Sequence, residues 1–273
     1  MINKVLTTVA ILLIFPFNVK AQRALEETNK YPLMFIEDFE CGEMKLKKSG
    51  NPPEVVKMKG ARAGKYVMKA QITPDKEISY RTEISLNRED LIFKPGKEYW
   101  VGISTMLGDD FNDSVSNKDQ GMLFQWHYFD WKYPKKLGLG QPQPLLLRYL
   151  GNGQAIIESE VLDMEGKYPG TMVKLSMDTS QWVDWVIHYK LDNEEGFIQV
   201  WCNKKLVVDW TGDNHQIEKK EGAYLKFGLY SAQFKNNSWG IDMPANYSRT
   251  VYHDEIRIAD ENGSYQLVAP RNK

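Results

Sequence analysis

Short runs of strand-forming residues recur along nearly the whole chain, and this recurrence limits the possible folds more than any other feature. The runs are rich in Val, Ile, Tyr, Phe and Trp, and turn-forming residues separate them. No segment carries the long apolar stripe of an amphipathic helix. The predicted strands cover residues 33–39, 65–72, 80–86, 99–107, 122–129, 145–150, 154–160, 182–190, 197–202, 224–232 and 251–259. They predict an all-β fold, a two-sheet antiparallel jelly roll or lectin-like sandwich with a concave ligand groove.

The N-terminal 21 residues differ in composition from the rest of the chain. Lys4 precedes an apolar run over residues 5–17, and Val-Lys-Ala stands directly before Gln22. This pattern predicts a signal peptide cleaved after Ala21, so we expect a secreted or periplasmic protein without a membrane span. We expect residues 22–273 to form a single domain, because all-β sandwiches of this size are routinely one unit.

The charge of the chain argues against nucleic acid as a partner. Loss of the signal peptide would remove Lys4 and Lys20 and no acidic residue, which takes the formal net charge from −1 to −3. Binding to a phosphate backbone needs the opposite sign. The two cysteines, Cys41 and Cys202, could form a disulfide in an exported protein or remain free thiols, and their spacing does not decide between these. We expect a monomer.

The most informative single segment is the predicted strand that begins at Tyr224. Side chains alternate between the two faces of a strand, so its apolar residues face the core while its polar residues share the other face. The core residues are Leu225, Phe227 and Leu229, and the polar face carries Tyr224, Lys226, Gly228 and Tyr230. Gly228 leaves a gap between the phenols where no side chain blocks a ligand. Such a surface suits an anionic sugar polymer.

Two further predicted strands have polar faces of the same kind. Arg81, Glu83 and Ser85 share one face of the first strand, and Tyr80, Thr82, Ile84 and Leu86 share the other. Gln125 and His127 share one face of the second. Taken alone, Arg81 and Glu83 are typical of a solvated cross-strand ion pair. His127 taken alone is typical of a partly buried histidine. If the three polar faces adjoin, they form one cationic, titratable groove.

Together these segments resemble the signature strands of jelly-roll polysaccharide lyases. The three motifs are Arg81-Thr-Glu-Ile84, Gln125-Trp-His127 and Tyr224-Leu-Lys-Phe-Gly-Leu-Tyr230, in that order. They are most similar to those of type I heparin lyases and glucuronan lyases, and more distantly to those of alginate lyases. The final segment Tyr252-His-Asp-Glu-Ile-Arg-Ile258 strengthens the resemblance. The resemblance as a whole implies a lyase that breaks a uronic-acid polymer by β-elimination.

The resemblance also implies a role for each polar residue. Arg81 and Gln125 would donate hydrogen bonds to the substrate carboxylate, because removal of the neighbouring C5 proton requires that charge to be stabilised. His127 would take the C5 proton and Tyr230 would protonate the leaving O4 oxygen, although syn elimination could let Tyr230 do both. Further substrate contacts would come from Lys226, Glu83, Tyr224 and, in the insert over residues 128–144, Trp131 and Lys132.

No cofactor is required for this chemistry, but some relatives hold a structural calcium ion on the convex side. Glu40 and Asp254 are the candidate ligands here, by their positions next to the first and last predicted strands. The Glu-x-Asp-x-x-Glu pattern of hydrolases with this architecture does not occur in the sequence. The alternative to a lyase is a non-catalytic carbohydrate-binding module on the same fold. Heparin or heparan sulfate, glucuronan and alginate all remain candidate substrates.

Overall fold

The computed structural model describes residues 32–73, 80–111, 121–128, 142–161, 170–215, 221–231 and 248–271. These residues form fifteen strands, one short helix and a 3-10 turn at Glu89–Leu91. The strands are β1 (Leu33–Glu37), β2 (Lys48–Gly50), β3 (Glu54–Lys57), β4 (Tyr66–Ile72), β5 (Arg81–Ser85), β6 (Glu98–Leu107), β7 (Gly121–Tyr128), β8 (Leu146–Gly151), β9 (Gln154–Ser159), β10 (Gly170–Ser176), β11 (Val183–Lys190), β12 (Phe197–Cys202), β13 (Lys205–Thr211), β14 (Ala223–Tyr230) and β15 (Arg249–Ala259). The helix α1 is Tyr265–Val268.

The strands lie in two antiparallel sheets, as the sequence predicts. The first sheet has the order β13-β12-β11-β6-β15-β4-β3, and β1 adds to it by pairing with β15. The second has the order β10-β9-β8-β7-β14-β5-β2. The three strands with polar motifs are therefore direct neighbours near the middle of the second sheet. The jelly-roll prediction is confirmed.

Four strands of the structure were not predicted from the sequence, and all four lie at sheet edges. They are β3 and β13 in the first sheet, and β2 and β10 in the second. Their residues are mostly exposed or half-buried. An edge strand covers little of the core, so it lacks the regular apolar alternation that marks a central strand.

One hydrophobic core fills the space between the two sheets. Its large side chains come from both sheets, for example Trp126 and Phe227 from the second and Trp185 and Tyr189 from the first. Leu225, Phe227 and Leu229 all belong to it, so the predicted apolar face of β14 is confirmed. Since this face is fixed in the core, the opposite face of β14 points away from the first sheet.

A smaller apolar cluster covers the outer face of the first sheet. Helix α1 places Val268 against Val186 and Ala259. The helix lies so close to β6 that a Cβ atom at Gly102 would be 1.8 Å from the Val268 carbonyl oxygen. The buried carboxylate of Glu255 accepts hydrogen bonds from the Arg257 side chain and from the Arg271 backbone N–H. These bonds tie the C-terminal residues to β15. We call Glu255, Arg257 and residues 265–271 the C-terminal clasp.

Several expectations concern residues at the margins of this fold. The predicted signal peptide lies outside the described residues. From Pro32 onward the chain clusters as one compact unit. Within the described ranges, no helix is long and apolar enough to cross a membrane. Both cysteines are free thiols: Cys41 is exposed in a turn and Cys202 is half-buried at the end of β12.

Candidate active site

Strand registers bring the polar residues of β5, β14 and β7 onto one face. The cross-strand partners are Lys226 with Ser85 and Gln125, Tyr224 with His127, and Tyr230 with Arg81. Gly228 pairs with Glu83, so the polar face has four rows in the order Tyr224, Lys226, Gly228 and Tyr230. Tyr230 lies six positions after Tyr224, so the outer rows lie roughly 20 Å apart at their Cα atoms. The Tyr224 phenol is close enough to Glu83 and Arg81 for both charges to affect its pKa.

Glu83 is the centre of this polar face. One carboxylate oxygen accepts a hydrogen bond from Gln125 Nε2 at 2.7 Å, and the other accepts one from Lys226 Nζ at 2.7 Å. Arg81 NH1 lies 4.0 Å from the same carboxylate. The Glu83 side chain is only 2% exposed. Glu83, predicted to contact substrate, therefore holds the orientations of two neighbouring side chains.

Lys226 occupies a different environment from the one its strand position suggests. Its side chain is 4% exposed, and its ammonium group is paired with Glu83. A buried ion pair of this kind orients both partners and neutralises their charges. The sequence predicted that Lys226 holds substrate, whereas its described partner is a carboxylate of the protein itself.

Arg81 lies against the rings of two tyrosines. Its guanidinium carbon is 4.7 Å from the Tyr230 ring centroid and 5.1 Å from that of Tyr80, and the two rings meet edge to face at 5.4 Å. Such contacts between a cation and an aromatic face are attractive. Tyr80 was predicted to lie on the face of its strand opposite Arg81, but β5 begins only at Arg81 and the Tyr80 ring contacts that of Tyr230.

His127 is held at the other side of the polar face. Its Nδ1 atom lies 2.9 Å from the backbone carbonyl oxygen of Tyr128, which can only accept, so Nδ1 carries a proton. In the neutral ring the lone pair is then on Nε2, which gives His127 the protonation state that a general base needs. Its ring lies 5.3 Å from the Tyr224 ring.

Tyr224 remains a protonated phenol at neutral pH. Burial and, to a smaller extent, the negative charge of Glu83 raise its pKa to about 12, against an opposing effect of Arg81. A group in this state donates a hydrogen bond. Tyr224 therefore suits the substrate contact that the sequence predicts for it.

Gly228 is required by the neighbouring strand rather than by ligand access. Its φ of +134° is rare for residues with a side chain. A Cβ atom there would lie 2.3 Å from the Thr82 carbonyl oxygen and 2.8 Å from the Glu83 Cα atom. A side chain at this position would therefore meet the backbone of β5.

An additional charged group lies farther along the same sheet and was not predicted. Arg148 on β8 donates to Glu158 at 2.6 Å and to Glu160 at 3.1 Å. Alternation along β8 places Arg148 on the polar face, because its neighbours Leu147 and Tyr149 are in the core. Arg148 belongs to no sequence motif. Its place beside the other polar residues follows only from the pairing of β8 with β7.

The remaining predicted site residues divide into two groups. Trp131 and Lys132 lie outside the described residues. Glu40 and Asp254 are bound by backbone N–H groups: Glu40 accepts from Lys65 and Tyr66, and Asp254 accepts from Ala63 and Glu255. Across the described ranges no group of three or more acidic, His or Cys side chains is placed to hold a metal. Calcium takes six to eight oxygen ligands, so these two carboxylates do not by themselves form its site.

Comparison with known proteins adds a family to this geometry. Residues 42–257 match the family described as Polysaccharide lyase. A comparison with curated proteins found no match. Among solved structures, the fold is similar to that of an endo-β-1,4-glucuronan lyase from the fungus Trichoderma reesei, with a TM-score of 0.66 and 14% identity over 88% of this chain and 99% of that chain.

Two further solved structures share the fold more distantly. Alginate lyase Aly36B is similar with a TM-score of 0.50 and 10% identity, over 76% of this chain and 86% of that chain. The binding domain of Paraclostridial Mosquitocidal Protein 1 is similar with a TM-score of 0.51 and 9% identity, over 87% of this chain and 51% of that chain. At such low identities the likeness shows the fold alone, and the fold serves both enzymes and a binding domain.

Proposed function

The chain belongs to the polysaccharide lyase family, and we propose that it cleaves a uronic-acid polysaccharide by β-elimination on the polar face of its second sheet. Family membership makes it a polysaccharide lyase rather than a non-catalytic carbohydrate-binding module. The reaction removes the C5 proton of a uronate, breaks the C4–O4 bond, forms a C4–C5 double bond and returns a proton to O4.

The observation that carries this proposal is that the polar residues of β5, β14 and β7 share one face. A uronate chain bound along β14 would pass both the His127 row and the Tyr230 row. His127 takes the C5 proton through Nε2, and Tyr230 gives its hydroxyl proton to O4. Arg81 and Gln125 stabilise the charge that develops on the carboxylate.

Among the described residues, the charge balance of the polar face favours a uronate polymer without sulfate groups. The ammonium of Lys226 is paired with Glu83, and the guanidinium of Arg148 is shared by two carboxylates. Arg81, 4.0 Å from Glu83, is then the described cation best placed to meet a single carboxylate. A sulfated polymer would require several more cations per sugar unit. We therefore propose glucuronan or alginate ahead of heparin and heparan sulfate.

A panel of polymers tests both parts of this proposal. The purified chain is incubated with glucuronan, alginate, heparin and heparan sulfate, and the unsaturated uronate product is followed by its ultraviolet absorbance. We expect product from at least one unsulfated polymer and a lower rate on heparin. New reducing ends without absorbance would indicate a hydrolase, and a preference for heparin would overturn the substrate assignment.

We also propose that the chain is exported, on the basis of the composition of residues 1–21. Expression of the full-length chain in a Gram-negative host, followed by N-terminal sequencing of the periplasmic protein, tests this. We expect the mature chain to begin at Gln22. Retention of Met1 in a cytoplasmic product would contradict it.

A further inference from the structure

Strand β14 has a bulge directly before Tyr230. Its pairing with β7 is regular up to Phe227 opposite Phe124 and resumes with Tyr230 opposite Met122, so the two intervening residues of β14 face a single residue of β7. Pairing with β5 is regular over the same stretch. A bulge disrupts the hydrogen-bond ladder and redirects the side chains beside it. The position of Tyr230 therefore depends on what holds the bulge.

A histidine of the opposite sheet contacts this bulge from inside the sandwich. His253 on β15 is fully buried, and its Nε2 atom lies 3.2 Å from the Gly228 carbonyl oxygen. Its Nδ1 atom lies 3.2 Å from the Thr105 hydroxyl. Because the carbonyl can only accept, Nε2 carries the proton and the Thr105 hydroxyl donates to Nδ1. Burial lowers the pKa of His253 to about 4, so the ring keeps this neutral form at neutral pH.

A second buried residue of β15 contacts Ser231, the residue directly after β14 and Tyr230. Arg249 lies four residues before His253, and its NH1 atom donates to the Ser231 hydroxyl at 3.0 Å. Arg249 is fully buried, and Ser231 follows Tyr230 directly. Strand β15 thus contacts the backbone just before Tyr230 and the side chain just after it.

We propose that His253 and Arg249 are positioning residues for the elimination, holding β14 from the opposite sheet so that the Tyr230 hydroxyl reaches O4. This inference rests on the proposed function, because it assumes that Tyr230 transfers the proton. Neither residue touches substrate, since both lie between the sheets. They act through the backbone of Gly228 and the side chain of Ser231.

The physical reason is the geometric sensitivity of proton transfer. A displacement of about 1 Å at a reacting group can cost ~10²-fold in rate. The contacts of Tyr230 include ring contacts with Arg81 and Tyr80, which have broad geometric preferences. Hydrogen bonds to the flanking residues restrict its backbone more strongly.

Three variants separate positioning from general stability. His253→Leu removes the donor to Gly228, His253→Gln keeps an N–H group at the place of Nε2, and Thr105→Val removes only the contact with Nδ1. We expect His253→Leu to lower kcat by at least ~10-fold with KM within about twofold, His253→Gln to recover most of the loss, and Thr105→Val to lower the unfolding temperature without changing kcat. Equal losses of kcat in all three variants would mean that packing alone matters and would overturn the inference.

Ser231→Ala tests the second contact without altering the core, and so covers the case in which His253→Leu does not fold. We expect a several-fold lower kcat with an unchanged KM, and wild-type kcat in this variant would overturn the role of Arg249. Hydrogen exchange of the peptide over residues 223–231 gives a readout that needs no substrate. It should be faster in His253→Leu than in Thr105→Val, and equal exchange would overturn the role of His253. A wild type that cleaves no polymer would sink the proposed function, while the exchange result would still decide the positioning.

Discussion

At the scale of single residues, the proposed chemistry divides between groups that transfer protons and groups that hold them in place. Tyr230 is assigned to the first class, although a second tyrosine, Tyr80, lies against the same guanidinium group. Glu83 belongs to the second class, because both its oxygens are bound by neighbouring side chains. The two classes give different results on substitution.

Tyr230→Phe should abolish turnover while polymer binding is largely kept. The substitution keeps the ring and its contact with Arg81 but removes the proton donor, so the loss should appear in kcat more than in KM. General acid–base assistance is worth ~10²–10⁴-fold. Tyr80→Phe is the matched control, since it removes a hydroxyl from the adjacent ring, and it should keep kcat within a few-fold. Near wild-type kcat in Tyr230→Phe would show that Tyr230 is only a sugar contact.

Glu83→Gln should reduce both stability and activity, because it leaves the buried ammonium of Lys226 without its counter-charge. Breaking one side of a buried ion pair costs about 3–5 kcal/mol. The double variant Glu83→Gln with Lys226→Met removes both charges and should regain most of the unfolding free energy in urea. Activity should stay low in the double variant, since Gln125 still lacks its carboxylate partner. Recovery of activity together with stability would show that Glu83 has only a structural role.

At the scale of elements, alternation along a strand shows which residues share a face but not which residues meet across strands. Period-two patterns in β5, β7 and β14 were enough to identify the polar face. They could not show that Lys226 pairs with Glu83, 143 residues away in sequence. They also misplaced Tyr80, because a face assignment fails beyond the end of a strand. The sequence did not predict the four edge strands, because they lack a regular apolar pattern.

Gly228→Ala should be much more damaging than an alanine at another glycine of similar backbone conformation. Gly60 is the matched control, because its φ is +97° and no atom lies within 4 Å of its Cβ position. Gly60→Ala should cost only the backbone strain, about 1–3 kcal/mol. Gly228→Ala adds a clash with the backbone of β5, so its unfolding free energy should be lower still and its kcat reduced. Equal losses of unfolding free energy in the two variants would mean that the backbone of β5 moves aside at no energetic cost.

At the scale of the whole molecule, the stability of the fold should depend on pH through Asp254. Burial, the largest effect, raises its pKa from the ordinary value of 3.8 to about 7, although two backbone N–H groups favour the charged form. The folded protein therefore binds this proton more tightly than the unfolded chain does. Stability from this group is fully present below about pH 4 and is lost as pH rises through about 7.

Asp254→Asn isolates this effect, since the amide does not titrate. The variant loses an acceptor for one backbone N–H, which lowers its stability by an amount independent of pH. We expect the wild type to lose unfolding free energy relative to the variant between pH 5 and pH 8, by up to about 1.4 kcal/mol per pH unit. The exposed Glu43→Gln variant should follow the wild type throughout. Parallel urea-unfolding profiles for wild type and Asp254→Asn would contradict the raised pKa.

The C-terminal clasp and the polar face lie on opposite sides of the sandwich. The clasp packs on the outer surface of the first sheet, with Val268 against Val186 and Ala259, while the proposed chemistry occupies the outer surface of the second. A resin or film coupled to the outer surface of the first sheet would therefore leave the polar face of the second sheet directed away from the support. An immobilised preparation of this kind should digest polymer at a rate close to that of the dissolved protein.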